Sequence, residues 1–182
     1  MNHDNQTPFA QLNPTVILDA IESIGFLCTG SLLALNSYEN RVYQVGIEGA
    51  EPIIAKFYRP HRWTPAAILE EHQFSLELIE HEIPIIAPLI INDETLHHHH
   101  DFSFALFPRR GGHALELDNS QQLEWMGRFI GRLHRVSACK SFKHRIQLNT
   151  QNYGYEPYEF LLKQGFIPDY LKANFCTTVE RA

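Results

Sequence analysis

Between Gly30 and Pro60 the chain reads GSLLALNSYENRVYQVGIEGAEPIIAKFYRP, and apolar and polar residues alternate through it in three runs. Breaks fall at Ser37-Tyr38-Glu39-Asn40 and at Glu48-Gly49-Ala50-Glu51. Successive side chains of a strand point to opposite faces, so this alternation predicts a three-stranded antiparallel meander. The third run, Ile53-Ile54-Ala55-Lys56-Phe57-Tyr58, carries one lysine among apolar neighbours. Pattern alone leaves Lys56 two readings. It is an edge-strand lysine that lays its stem on apolar surface with its head in water, or a cation held on a central strand for an anionic ligand.

The segments around the meander read as helices with explicit signals. Asn13 is placed to cap a helix whose first residue is Pro14, and Gly25 to stop it; Val16, Ile17, Ala20, Ile21 and Ile24 share the face that packs on the sheet. A second helix starts at Thr64-Pro65 and runs to about Leu78, with Ala67, Glu71, Phe74 and Leu78 on one stripe. A carboxylate on such a stripe calls for a cation, and Lys56 is the nearest candidate for Glu71; Glu70, about 100° further round the helix, is the fallback. Pro84 and Pro88 keep the following stretch extended. Leu89 to Ile91 and Phe102 to Phe107 are then expected as two strands joined by a polar hairpin tip bearing His97 to His100.

Pro108-Arg109-Arg110-Gly111-Gly112 breaks the pattern and separates a strand-rich part, residues 1–108, from a helical part, residues 109–182. In the latter, Asn119 or Ser120 caps an amphipathic helix ending near Ser137, with Leu123, Met126, Ile130 and Leu133 on one stripe. Gly127 and Gly131, four apart, suggest close helix packing, and His134 near the helix end suits the negative pole there. Asn149 to Gly154 reads as loop, and Tyr158 to Lys163 and Tyr170 to Glu180 as short helices.

Composition excludes several classes. With 182 residues, 44% of them hydrophobic, the chain buries a substantial core. A net charge of -6 argues against a broad nucleic-acid surface. Cys28, Cys139 and Cys176 are scattered and odd in number, which indicates neither a disulfide framework nor a zinc site and suits a reducing cytoplasm. A polar N-terminus without a basic-then-apolar leader, and no run of about 20 apolar residues, predict neither secretion nor membrane insertion. The four histidines lack a carboxylate or cysteine at a recognisable ligand spacing, and whether they bind metal stays open.

A lysine on a central strand, fixed by a glutamate on the next helix, is an arrangement that holds nucleotide phosphates. The turn Asn36-Ser37-Tyr38-Glu39-Asn40 would then cover those phosphates with backbone N–H groups and hydroxyls, although it contains no glycine and matches neither a GxGxxG nor a GxxxxGK[ST] loop. The hydrolase, zincin, EF-hand and deaminase signatures are absent as well.

The residues also carry a resemblance. Asn36 to Tyr43, Ala55 to Pro60, Arg62-Trp63, Leu69 to Phe74, Phe104 to Pro108 with Gly111-Gly112, and Gly127 to His134 together resemble the bacterial stress-response Ser/Thr protein kinases of the aminoglycoside phosphotransferase and choline kinase superfamily. The likeness runs over roughly residues 8 to 175. It implies an α+β, protein-kinase-like fold: an antiparallel-sheet N-lobe in residues 1–108 and the first helices of a truncated C-lobe in 109–182. It implies ATP as ligand, with Lys56 on the phosphates and Glu71 as its partner. Ser37, flanked by Asn36 and Tyr38, would contact the nucleotide, and Phe107 to Arg109 would be a hinge whose backbone meets adenine. A monomeric, cytoplasmic enzyme is the corresponding expectation.

The same resemblance exposes a gap. The superfamily keeps its catalytic base and Mg2+ ligands in an HGDxHxxN segment and a later Asp-containing segment, and neither occurs in these 182 residues. No catalytic or metal-ligating residue is therefore assigned, and the chain is expected to be the N-terminal half of such a kinase and inactive alone. Two rival functions remain: part of a small-molecule kinase acting on an aminoglycoside, choline or homoserine-like alcohol, and a non-catalytic nucleotide-binding or interaction module.

Overall fold

A computed structural model describes residues 8–116 and 118–181. The first seven residues, part of the stretch read for a leader, lie outside it. The described residues form two compact units, one ending at His144 and one beginning at Arg145.

The first unit is built on a five-stranded antiparallel sheet. Its strands are β1 (Cys28–Leu35), β2 (Arg41–Ile47), β3 (Ile53–Phe57), β4 (His97–His99) and β5 (Phe102–Pro108), in the spatial order β1-β2-β3-β5-β4. The meander forms as its alternation predicts, with Val42 opposite Lys56 and Lys56 opposite Ala105. Lys56 therefore stands on the central strand, which removes the edge-strand reading. Between Cys28 and Leu32 the register of β1 slips by a bulge. Gly46 faces that bulge, where a Cβ would lie 2.4 Å from Thr29 Oγ1, so only glycine lets the strands close there.

The sheet's two faces are dressed differently. Ile53, Ala55 and Phe57 of β3 and Phe102, Phe104 and Leu106 of β5 join Val45 and Ile47 in one core, which α1 (Pro14–Glu22) closes with Ile17, Ala20 and Ile21. Asn13 Oδ1 accepts the Val16 N–H at 3.1 Å, the cap the sequence predicts. The opposite face carries Ile54, Lys56, Ala105 and Phe107 and receives α2 (Pro65–Glu80), capped by Thr64 Oγ1 at the Ala67 N–H. Tyr58, Ile68, Leu96 and Ala105 make a second, smaller core there.

The second hairpin differs from expectation. Leu89 to Ile91 forms no strand; Asn92 and Asp93 both take positive φ and fold the chain back so that Ile91 bridges Glu94. The histidines are then drawn into the sheet as β4 rather than left at a tip. His97 lies opposite Phe104 with ring centroids 5.5 Å apart, and its apolar ring surface is buried as another aromatic's would be. The tip is His100-Asp101, where His100 has φ 50°.

Beyond the sheet, α3 (Ser120–Ser137) is capped by Asn119, whose Oδ1 accepts the N–H groups of Gln121 and Gln122. None of its described residues is buried, and a Cβ at Gly127 or Gly131 would meet nothing within 4 Å. The close packing expected of those glycines does not occur among the described residues. In the second unit the expected loop is a π-helical turn, Gln151–Tyr155, continuous with α4 (Glu156–Lys163); α5 (Asp169–Arg181) completes it. Tyr158 stacks on Phe175 with centroids 5.8 Å apart, pairing those two helices.

Candidate functional site

The pleat of β3 sends Lys56 to the α2 face, and the helix start at Thr64-Pro65 sets the phase of α2 so that Glu71 arrives above it. The ammonium lies 3.3 Å from Glu71 Oε1, with about a quarter of the Lys56 side chain and a third of the Glu71 side chain exposed. A pair that is only partly dehydrated keeps both charges available to a third party. Beneath the ammonium is the Tyr58 ring, 4.6 Å to its centroid, and Phe107 lies 6.0 Å away. Glu70, the fallback, is committed elsewhere: its carboxylate accepts the backbone N–H groups of Lys143 and His144.

The pair opens onto a cleft of about 380 Å³ walled by Leu35, Val42, Ile54, Phe107 and Ile86. Apolar walls with a few converging charges are the usual make-up of a small-molecule site. Of the residues predicted from sequence, Lys56, Glu71 and Phe107 line this cleft together. Arg109 does not, while its neighbour Arg110 does.

Asn36, Ser37 and Tyr38 follow Leu35 out of the cleft wall and do not themselves line it; Tyr38 is fully exposed. The turn they belong to is nevertheless fastened. Glu39 accepts hydrogen bonds from Arg62 Nε at 3.1 Å and Trp63 Nε1 at 2.8 Å, and Asn40 Oδ1 accepts the Arg59 N–H at 3.2 Å. Partial burial pushes the Glu39 carboxyl up, but the bonds from Trp63 and Arg62 and the charges of Arg62 and Arg59 outweigh it and hold the group below its usual range.

Sequence reasoning missed the polar group behind the pair. His72 is buried; its Nε2 bonds the Tyr58 hydroxyl at 2.6 Å and its Nδ1 bonds Thr95 Oγ1 at 2.9 Å. Burial lowers its pKa to about 4; Glu71 opposes that shift, and Lys56 and His97 add to it. The signal was present in the spacing, since His72 stands four residues after the buried Ile68 and so shares its inward stripe. Among the described residues no group of three or more His, Cys, Asp or Glu is arranged to hold a metal ion.

A central-strand lysine paired to a helix glutamate over an apolar cleft, on a five-stranded antiparallel sheet, defines a kinase-like α+β fold. The sequence comparison carries the assignment further: residues 31–159 match the phosphotransferase enzyme family, and the chain belongs to that family. It is 44% identical over 94% of its length to stress response kinase A of Escherichia coli, covering 52% of that protein. It is 42% identical over 98% of its length to the serine/threonine protein kinase RdoA of Salmonella typhimurium, covering 54% of it. The chain thus spans about half the length of these curated relatives. Among solved structures, its fold is similar to amicoumacin kinase hAmiN in complex with AMP-PNP, Ca2+ and Ami, with a TM-score of 0.69 and 20% identity over 87% of this chain and 49% of that one. It is also similar to a microcompartment-associated aminopropanol kinase, with a TM-score of 0.61 and 19% identity over 78% of this chain and 46% of the other.

Proposed function

We propose that this chain is the ATP-binding part of a Ser/Thr protein kinase of stress response, which in its full-length form transfers the γ-phosphoryl group of ATP to protein hydroxyls. The observation that carries the reading is the Lys56–Glu71 pair, 3.3 Å apart at the mouth of an apolar cleft. In it, Lys56 holds phosphate oxygens and Glu71 aims the ammonium at them. Asn36, Ser37 and Tyr38 offer backbone N–H groups and hydroxyls to the same phosphates. Phe107 stacks near the base, and the backbone from Phe107 to Arg109 supplies hinge hydrogen bonds to adenine. The lobe division then falls after Pro108.

Mg2+, when bound, would supply neutralisation of phosphate charge, but among the described residues no group of three or more His, Cys, Asp or Glu is arranged to hold it. Neither the catalytic base nor the metal ligands belong to these 182 residues, so phosphoryl transfer belongs to the longer protein. A monomeric enzyme in the cytoplasm, where ATP is at hand, accompanies this reading. No helix among the described residues is long and apolar enough to cross a membrane.

One observation favours a second reading. The fold neighbours are named for small-molecule acceptors, amicoumacin and aminopropanol, and the sheet with its paired lysine would serve such an enzyme equally well. The closer sequence likeness to proteins named as stress-response and Ser/Thr kinases supports the protein acceptor. Titration of MgATP against the chain and its Lys56→Ala variant tests the shared core of both readings. Loss of one charge-assisted contact is expected to weaken binding by about tenfold or more. Binding indifferent to Lys56 would instead mark a non-catalytic module that keeps only the fold.

A further inference from the structure

Besides Glu71, the Lys56 ammonium meets two ring faces, and the nearer is Tyr58, 4.6 Å to the centroid against 6.0 Å for Phe107. A ring face attracts a cation only where the ring is held in place under it. Tyr58 is buried, and its hydroxyl meets His72 Nε2 at 2.6 Å; His72 is itself pinned through Nδ1 to Thr95 Oγ1 at 2.9 Å. Thr95 belongs to the segment entering β4, so the three side chains tie the end of β3, α2 and that segment together at the cleft wall, which His72 lines.

Packing alone does not require this arrangement. A phenylalanine would fill the place of either ring, whereas burying an imidazole, a phenol and a hydroxyl is tolerated only if each is satisfied by the others. A neutral imidazole has one donor and one acceptor nitrogen, and here both are engaged. Burial favours that neutral form, and the groups facing His72 are Glu71 on its own helix, Lys56 on β3 and His97 on β4.

We propose that His72 is a positioning residue for the phosphate-binding lysine: acting through Tyr58, it fixes the aromatic floor that keeps the Lys56 ammonium aimed at the anionic part of a nucleotide. This rests on the reading of the cleft as an ATP site and adds a residue to it. The floor acts on the phosphate-bearing part of a ligand through Lys56, while His72 itself lines the cleft and meets Phe107 edge-on with centroids 6.4 Å apart.

The test uses the full chain with MgATP and adenosine as probes, followed by calorimetry, and the ring-current shift of the Lys56 ε-CH2 protons followed by NMR without nucleotide. His72→Phe is expected to move the Lys56 signal and weaken ATP by about fivefold, clearly more than it weakens adenosine, with the excess for ATP vanishing in a Lys56→Ala background. Tyr58→Phe, which removes only a hydroxyl, repeats the measurement should His72→Phe fail to fold. Equal losses for ATP and adenosine, or an excess for ATP that persists without Lys56, would overturn the proposal, since either marks a packing role. An unmoved Lys56 signal overturns it as well. Should wild type not bind ATP, or Lys56→Ala bind it as wild type does, the site reading fails independently, and the Lys56 resonance alone decides the role of His72.

Discussion

Glu70 and Glu71 are adjacent on α2 and serve different partners. Glu71 reaches the Lys56 ammonium on the sheet at 3.3 Å, while Glu70 accepts the backbone N–H groups of Lys143 and His144 at 2.5 and 2.9 Å. Two further contacts continue the Glu70 side of the helix: Phe74 meets Phe142 edge-on with centroids 5.4 Å apart, and Glu77 pairs with Lys140 at 2.7 Å. Positions 70, 74 and 77 form one helical stripe, so α2 is held on one face by the sheet and on another by the segment 140–144.

The two glutamates should therefore separate in their effects. Glu70→Ala leaves backbone donors without their carboxylate and is expected to destabilise the chain by about 1–2 kcal/mol while changing ATP affinity little. Glu71→Gln is expected to do the reverse, weakening ATP by about tenfold with stability changed by no more than about 1 kcal/mol, because partly exposed ion pairs contribute little to folding. Urea unfolding paired with ATP titration of both variants reads this directly. A common loss in both measurements would rule out the division of labour.

His72 makes folding sensitive to acid. Its pKa lies near 4 in the folded chain and near 6.5 when unfolded, so the unfolded chain binds the proton more readily. The stability this group contributes is complete above about pH 6.5, declines as pH falls toward about 4, and amounts to about 3 kcal/mol across that window. His97, also pushed down chiefly by burial, adds a change of the same sign. Urea midpoints at several values between pH 7.5 and 4.5 should fall for wild type and fall less steeply for His72→Phe.

His97 offers a stabilising substitution. Its Nε2 is buried without a hydrogen-bond partner among the described residues, beside Phe104. His97→Phe keeps the ring and removes the unsatisfied nitrogen, and is expected to raise stability by about 1 kcal/mol. Thermal melts at neutral pH check the sign.

Glu39 is expected to matter for the turn rather than the core. Glu39→Ala deletes the acceptor of Arg62 and Trp63 and should cost about 1.5–3 kcal/mol, the range for bonds to a charged group. Faster hydrogen exchange confined to residues 36–40 and 59–63 would distinguish this from a general loosening.

The chain alone is expected to transfer no phosphate. Positioning and charge stabilisation by a base and metal ions make up most of phosphoryl-transfer catalysis, and the HGDxHxxN segment that the superfamily resemblance implies for them does not occur in these 182 residues. Incubation with labelled ATP and a generic protein acceptor should give only background; turnover above it would contradict this.

What was legible in the sequence followed how local the signal was. The meander, the Asn13 and Thr64 caps and the Lys56 to Glu71 pairing rest on alternation and on spacing along one helix, and these survive into three dimensions because nothing distant competes with them. The β4 to β5 hairpin differs from expectation because polar histidines suggest a tip, whereas His97 pairs with Phe104 across a turn at His100-Asp101 that needs a positive φ at His100, a residue other than glycine. Gly127 and Gly131 signalled packing that has no partner among the described residues. His72 was overlooked because its meaning lies in Tyr58 and Thr95, 14 and 23 positions away.

The turn from Asn36 to Asn40 is tied down at Glu39 and Asn40 by three bonds to residues 59–63. Its conformational entropy is thus given up when the chain folds rather than when a ligand arrives. The consequence is kinetic. Association of the proposed nucleotide is then an encounter with a shape that already exists, so substitutions at Asn36, Ser37 or Tyr38 that leave the Glu39 and Asn40 bonds in place should keep arrival rates almost constant and register in how long the nucleotide stays.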